Sequence, residues 1–193
     1  MKLDLFYGLQ ILKEVQQKYP EAIIAGGFLR DLFFAKEFKD IDIFVSWQSP
    51  LHLGSHNFPG TFIKSSTCDM SYSTDNEIAN VDKLYFSVEM NYPENYAKLF
   101  ELNIIEVQTN DLAARVQEHD FDFCQVYTDG KQIYGVEILQ QILDTKTITL
   151  VQCENAKQWQ RSMKRWDRFH EKYPGFKLKI KEGIYHETMH GIV

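Results

Sequence analysis

The chain has 193 residues, of which 44% are hydrophobic and 25% charged, with a formal net charge of −6. This is enough apolar sequence for one buried core and excludes a disordered chain, and no run of about 18 apolar residues suits a bilayer span. So acidic a molecule attracts nucleic acid only through a local basic surface or bound cations.

The N-terminal MKLDLFYGLQ has an early Asp4 and no small-residue cleavage site, so no secretory leader is expected. Leu5, Leu9, Leu12 and Val15 recur at the spacing of one helical face, and Pro20 closes that helix. Residues 22–25, all apolar, read as a buried strand entering a Gly26-Gly27 turn, and residues 28–35 as a helix. Asp40-Ile41-Asp42-Ile43-Phe44-Val45 alternates acidic and apolar residues, a strand with one carboxylate-bearing edge. Residues 46–80 are rich in Ser, Thr, Gly, Asn and His, and read as an insertion with little regular structure. A short helix over 93–101 and a strand over 103–108 follow, then a helix over 112–118. Residues 120–127 alternate as a strand, and Asp129-Gly130 turns the chain into a further strand over 131–136. A helix over 138–143, a strand over 148–151 and a long helix over 154–172 complete the pattern. Cys68, Cys124 and Cys153 share no metal-ligand spacing, which predicts reduced thiols and a cytoplasmic location.

The chemistry concentrates in Gly26-Gly27-Phe28-Leu29-Arg30-Asp31 and Lys39-Asp40-Ile41-Asp42. Carboxylates at i and i+2 on a strand share a face, and magnesium favours a few carboxylates together with phosphate oxygens. Two such ions activate an attacking hydroxyl and stabilise a leaving pyrophosphate. The glycine pair lets backbone N–H groups approach phosphates at the start of a helix, with Arg30 either contacting the anion or bracing the loop.

GGFLRD…KDIDIFV resembles the signature of the DNA polymerase beta-like nucleotidyltransferases, in the form seen in bacterial-type CCA-adding enzymes and poly(A) polymerases. Residues 120–129 are similar to the family's R-D-F-T-I-N-A-L strand, with His119 where arginine is usual. Arg165-Trp166-Asp167-Arg168-Phe169 and Gly175-Phe176 are similar to its neck helix. The pattern also looks like small stand-alone bacteriophage proteins of this type.

The resemblance implies an α/β (α+β) nucleotidyltransferase fold, with a mixed central sheet flanked by helices and a C-terminal helical neck-like segment. It divides the chain into a head over 1–151, carrying an irregular insertion at about 46–100, and a basic neck-like segment over 152–193. The implied reaction moves a nucleoside monophosphate from an NTP, ATP or CTP, to a hydroxyl, an RNA or tRNA 3′ end. A protein or small-molecule acceptor, or a catalytically silent nucleotide-binding regulator, are the alternatives. Asp40, Asp42 and Glu106 are the expected ligands of Mg²⁺ or Mn²⁺, with Asp120 as a further catalytic candidate and Asp122 behind it. Gly26, Gly27, Arg30, Asp31, Arg165 and Arg168 are the expected nucleotide contacts. Trp159 and Ser162 stand where the family carries its base-reading Asp and Arg, so its choice of base does not transfer.

The basic residues crowd the tail, with Lys157, Arg161, Lys164, Arg165, Arg168, Lys172, Lys177, Lys179 and Lys181 against Asp167 and Glu171. In the long helix they oppose Trp159, Met163, Trp166 and Phe169 or His170, which face inward. His186-Glu187-Thr188-Met189-His190 matches the letters of a zinc-protease motif. It has no third ligand after it and lies at the frayed end of the chain, so no zinc is expected. No membrane partner is expected either.

Overall fold

The computed structural model describes residues 2–46, 61–64, 78–90 and 96–187. A seven-stranded mixed sheet is built from β1 (Ile23–Ala25), β2 (Asp40–Ser46), β3 (Thr61–Lys64), β4 (Ile78–Met90), β5 (Tyr96–Val107), β6 (Tyr127–Thr128) and β7 (Ile133–Tyr134). The strand order is β3-β4-β5-β2-β1-β6-β7. The β2–β5 pair is parallel, and its neighbours run antiparallel. Among the described residues five α-helices accompany the sheet: α1 (Lys2–Gln16), α2 (Gly27–Phe33), α3 (Leu112–Gln117), α4 (Val136–Thr145) and α5 (Ala156–Lys172). Strands β8 (Thr147–Leu150) and β9 (Lys177–Ile180) pair in parallel on either side of α5. Among the described residues no helix is long and apolar enough to cross a membrane.

Period-two alternation gives the sheet two unequal faces. On one face Ile24, Ile41, Ile43, Val45, Leu102 and Ile104 pack against residues of α1, α2 and α5, including Leu12, Phe28, Trp159 and Phe169. This is the larger core, and it draws the tail of the chain onto the sheet. The other face carries Ile23, Ala25, Phe44, Ile105 and Val107 under Leu112 and Val116 of α3. The smaller cover leaves Asp40 and Asp42 half-buried, while every residue from Phe44 to Ser46 is buried.

Helix α5 forms because Asn155 caps it, its side chain accepting from Gln158 N at 3.0 Å, and because its apolar residues share one stripe. Trp159 and Phe169 are buried in that stripe, Met163 and Trp166 half-buried, and His170 lies outside.

Three local expectations are corrected. Residues 96–101 belong to β5 rather than to a helix, because each pairs with β4. The stretch expected to be irregular contains β3, β4 and the start of β5, which extend the sheet as a long antiparallel ribbon; residues 47–60, 65–77 and 91–95 lie outside the described residues. Residues 120–127 do not run as a strand. Asp122–Cys124 form a 3-10 turn, since Asp122 Oδ1 accepts from Phe123 N at 2.8 Å and from Thr149 N at 3.0 Å, fastening the turn to β8. The even spacing of Asp120 and Asp122 therefore does not put them on one face. Burial is the largest influence on Asp122, raising its pKa against those hydrogen bonds. The expected head boundary at 151 falls just after β8, whose partner β9 lies well beyond it.

Candidate nucleotide and metal site

The site begins where β1 ends. Gly26 has φ 74° and ψ −121°, a backbone state that suits glycine, and its N–H donates to Val126 O at 2.8 Å. The turn is thus pinned against the segment that leads into β6. Register pairs Ile23 with Phe44 and Ile24 with Ile43, and running on in the same sense it brings the Gly26-Gly27 turn beside the start of β2. Asp40 and Asp42 occupy that start, on the face shared with Phe44. Helix α2 has only seven residues, so the turn's own N–H groups and the missing side chain matter more than a helix dipole.

Across the parallel pair, Asp40 faces Glu101 and Asp42 faces Asn103. Lys39 Nζ lies 3.4 Å from Asp40 Oδ2 and 3.6 Å from Glu101 Oε1, one ammonium shared between two carboxylates. Asn103 Nδ2 donates to Asp42 Oδ1 at 2.8 Å. Glu101 and Asn103 are therefore the neighbours that sequence reasoning missed. Their signal was parity: they lie two residues apart on a strand, as Asp40 and Asp42 do.

Glu106 is not brought to this group. It pairs with Val45, and Val45 shares the α1/α2 face with Ile41 and Ile43, so Glu106 is buried on the opposite side of the sheet from Asp42. Among the described residues no three His, Cys, Asp or Glu side chains assemble as a metal-ligand set. The donors that do meet, Asp40 and Asp42 with the Asn103 amide alongside, are hard oxygens. They suit magnesium or manganese completed by phosphate and water oxygens.

Arg30 and Asp31 turn inward. Arg30 Nε donates to Asp31 Oδ1 at 2.8 Å and to Tyr173 Oη at 3.0 Å, and its guanidinium lies 4.9 Å from the Phe123 ring centre and 5.0 Å from that of Phe169. Asp31 also accepts from Lys172 Nζ at 2.5 Å and from the Tyr173 hydroxyl. Of the two roles the sequence offered Arg30, the contacts are those of the brace. Burial works against the Arg30 charge, but Cys124, Tyr173 and Asp31 outweigh it and hold its pKa above the ordinary value. Burial also raises the Cys124 thiol and the Tyr173 phenol, against the pull of Arg30. Both are therefore neutral near pH 7, and Asp31 is the counter-anion.

Asp120 is a second hub. Its carboxylate accepts from Ser162 Oγ at 2.7 Å, Arg165 Nη1 at 2.5 Å and Phe121 N at 3.1 Å, and its backbone oxygen accepts from Val151 N at 2.7 Å. These contacts fasten α5 to the turn beside the glycines. Arg165 and Arg30 both reach Cys124 Sγ, at 3.6 and 3.4 Å, and Gly27 lies against the Arg30 guanidinium. The Arg165 side chain keeps 29% of its surface exposed at this junction. Arg168 lies on the exposed face of α5. Trp159 and Ser162 are buried, Ser162 by its bond to Asp120, so neither faces an incoming base. His186 and Glu187 are exposed and outside any helix; the rest of the zinc-like motif lies outside the described residues.

His119 stacks edge-on against Phe44 with ring centres 6.0 Å apart. Burial first, then the charges of Arg165 and Arg115, push its pKa down to about 4 against the pull of Asp120. An unfolded-chain histidine titrates near 6.5, so on acidification the unfolded state gains the proton first. Stability contributed by neutral His119 is thus complete above about pH 6.5, is lost as pH falls toward 4, and changes little below that; the loss is about 3 kcal/mol at most. Urea midpoints at pH 7.5 and 4.5 should differ less in His119→Gln than in the wild type. An equal difference in both would show that His119 does not titrate on unfolding.

No protein-family profile and no curated protein sequence matches the chain. Similarity appears in three dimensions. A CCA-adding enzyme in complex with ATP superposes with a TM-score of 0.55 at 14% identity, over 91% of this chain and 40% of that one. A complex with CTP gives 0.52 at 14% identity, over 92% and 39%. A ligand-free form gives 0.50 at 13%, over 89% and 38%. The chain thus has the nucleotidyltransferase fold seen in CCA-adding enzymes, and spans about 40% of the length of the structure with ATP.

Proposed function

We propose that the protein transfers a nucleoside monophosphate from an NTP to a hydroxyl acceptor and releases pyrophosphate. The observation that carries the reading is the placement of Asp40 and Asp42 on one face of β2, at the side of the Gly26-Gly27 turn. The like-folded CCA-adding enzymes complexed with ATP and with CTP support an NTP, ATP or CTP, as the donor.

In this reading Asp40 and Asp42 hold Mg²⁺ or Mn²⁺. The bound ion supplies charge neutralisation for the triphosphate and acidifies the attacking hydroxyl. The Gly26-Gly27 turn offers backbone N–H groups to phosphate oxygens without a side chain in the way. Arg165, held by Asp120 and within reach of Cys124 Sγ, supplies positive charge to the phosphates, and Arg168 extends that charge one turn along α5. Lys39, now between Asp40 and Glu101, would have to give up Asp40 for a cation to bind there, and with a side chain 72% exposed it would keep its hydration on leaving. The acceptor is an RNA 3′ end, a proposal that rests on the resemblance of the GGFLRD and KDIDIFV segments. Choice of base falls to residues other than Trp159 and Ser162, since both are turned into the core.

The test is incubation with NTP labelled at the α-phosphate, in the presence of RNA and, separately, of protein. Label retained in RNA, with none transferred from a γ-labelled NTP, is the expected result. Label in protein would move the acceptor and keep the chemistry. Binding of Mg²⁺-NTP with no transfer to any acceptor would favour the silent regulator.

A further inference from the structure

A cation shared by Asp40 and Asp42 needs more oxygen donors than two carboxylates supply, and no third acidic, histidine or cysteine side chain joins them among the described residues. What β5 sets beside Asp42 is an amide. Asn103 is the register partner of Asp42 and is 1% exposed. Its Nδ2 donates to Asp42 Oδ1 at 2.8 Å, which decides the sense of the amide: the donor end meets the carboxylate. The other end, Oδ1, is buried with no hydrogen-bond partner among the described residues. A buried acceptor without a donor is uncommon in a native fold and calls for an explanation.

We propose that Asn103 completes the cation site, aiming Asp42 through Nδ2 and bringing Oδ1 into the ion's coordination shell as a neutral oxygen. This rests on the metal-dependent reading above and deepens it. An amide suits the position. Asp40, Asp42 and Glu101 already load this end of the sheet with negative charge, and a further carboxylate against Asp42 would repel it whenever the ion left. A carbonyl oxygen is a hard donor that adds no charge, so the site stays tolerable while empty and still offers three oxygens when filled.

The test is Mn²⁺ titration of the full chain followed by electron paramagnetic resonance, with and without ATP. Asn103→Leu keeps the volume and removes both ends of the amide, and should weaken Mn²⁺ binding about tenfold or more. Asn103→Asp restores an oxygen donor, and should bind Mn²⁺ at least as tightly as the wild type. Wild-type affinity in Asn103→Leu would overturn the proposal, and so would equal weakness in both variants when circular dichroism shows them folded. Should the Leu variant fail to fold, the Asp variant decides alone: Mn²⁺ binding at or above wild-type strength supports the proposal, and a clear loss sinks it. Mn²⁺ binding that depends on Asn103 in a protein with no transferase activity would leave this inference standing and remove the enzymatic one. A wild type that takes up no Mn²⁺ even with ATP overturns the inference, and the labelled-NTP assay then reports separately on the reaction.

Discussion

Asp42→Asn should lower the rate of nucleotidyl transfer by at least about 1,000-fold, roughly 4 kcal/mol of transition-state stabilisation, with the fold unchanged. The substitution is nearly isosteric, and an amide oxygen at position 42 still accepts from Asn103 Nδ2, so the sheet loses little. What it loses is a negative charge where the proposed ion sits. Asp40→Asn should behave alike; its partner Lys39 is exposed, so breaking that pair costs little stability. Initial rates at saturating NTP and Mg²⁺, beside urea midpoints, separate the two effects. A variant that transfers at wild-type rate would remove the carboxylate pair from the mechanism. Glu106→Gln is the control that parity supplies: facing the other core, it should change stability more than rate. A rate loss matching that of Asp42→Asn would return Glu106 to the metal.

The segment from β1 to β2 was legible because its signals are local. A four-residue apolar run, a glycine pair and an acidic–apolar alternation each state their structure within a few residues, and all three elements form where expected. The third oxygen donor was not legible, because it depends on pairing between β2 and β5, some sixty residues apart in sequence. In a strand, a shift of one residue exchanges faces; Glu106 and Asn103 differ by three, so whichever one faces Asp42, the other does not. The helix expected over 93–101 failed for a related reason. Ala97, Lys98, Leu99 and Glu101 are good helix formers, and pairing with β4 along Tyr96–Val107, joined by β2 from Glu101 onward, overrides that preference. Residues 120–127 misled through their alternation of Asp and Phe, which in this fold records a capped turn rather than a strand. Burial of charge was the least visible of all. Nothing in the letters Arg30-Asp31 distinguishes a phosphate contact from an internal ion pair, and the partners that decide it, Lys172 and Tyr173, lie about 140 residues later.

That internal pair carries the largest expected effect on stability. Asp31→Ala should destabilise the protein by about 3–5 kcal/mol in urea unfolding. The Arg30 and Asp31 side chains are 8% and 4% exposed, and with Tyr173 and Cys124 neutral, removal of Asp31 strands a guanidinium in the core without its anion. The neighbouring contacts should contribute less. Lys172 is 31% exposed and regains water when its partner leaves. Tyr173→Phe forfeits hydrogen bonds worth about 1–2 kcal/mol while keeping the ring against Phe34 and Phe123. The double variant Arg30→Met with Asp31→Leu distinguishes a pair that stabilises from a pair that merely must not be broken. If the cost of Asp31→Ala comes from the orphaned charge, removing both charges should recover most of it, because the desolvation penalty goes with them. If the double variant is as unstable as Asp31→Ala, the geometry of the network itself holds α5 to α2. In that case Arg165, which the same helix delivers to Asp120 and Cys124, should lose its position too, and transfer activity should fall with stability.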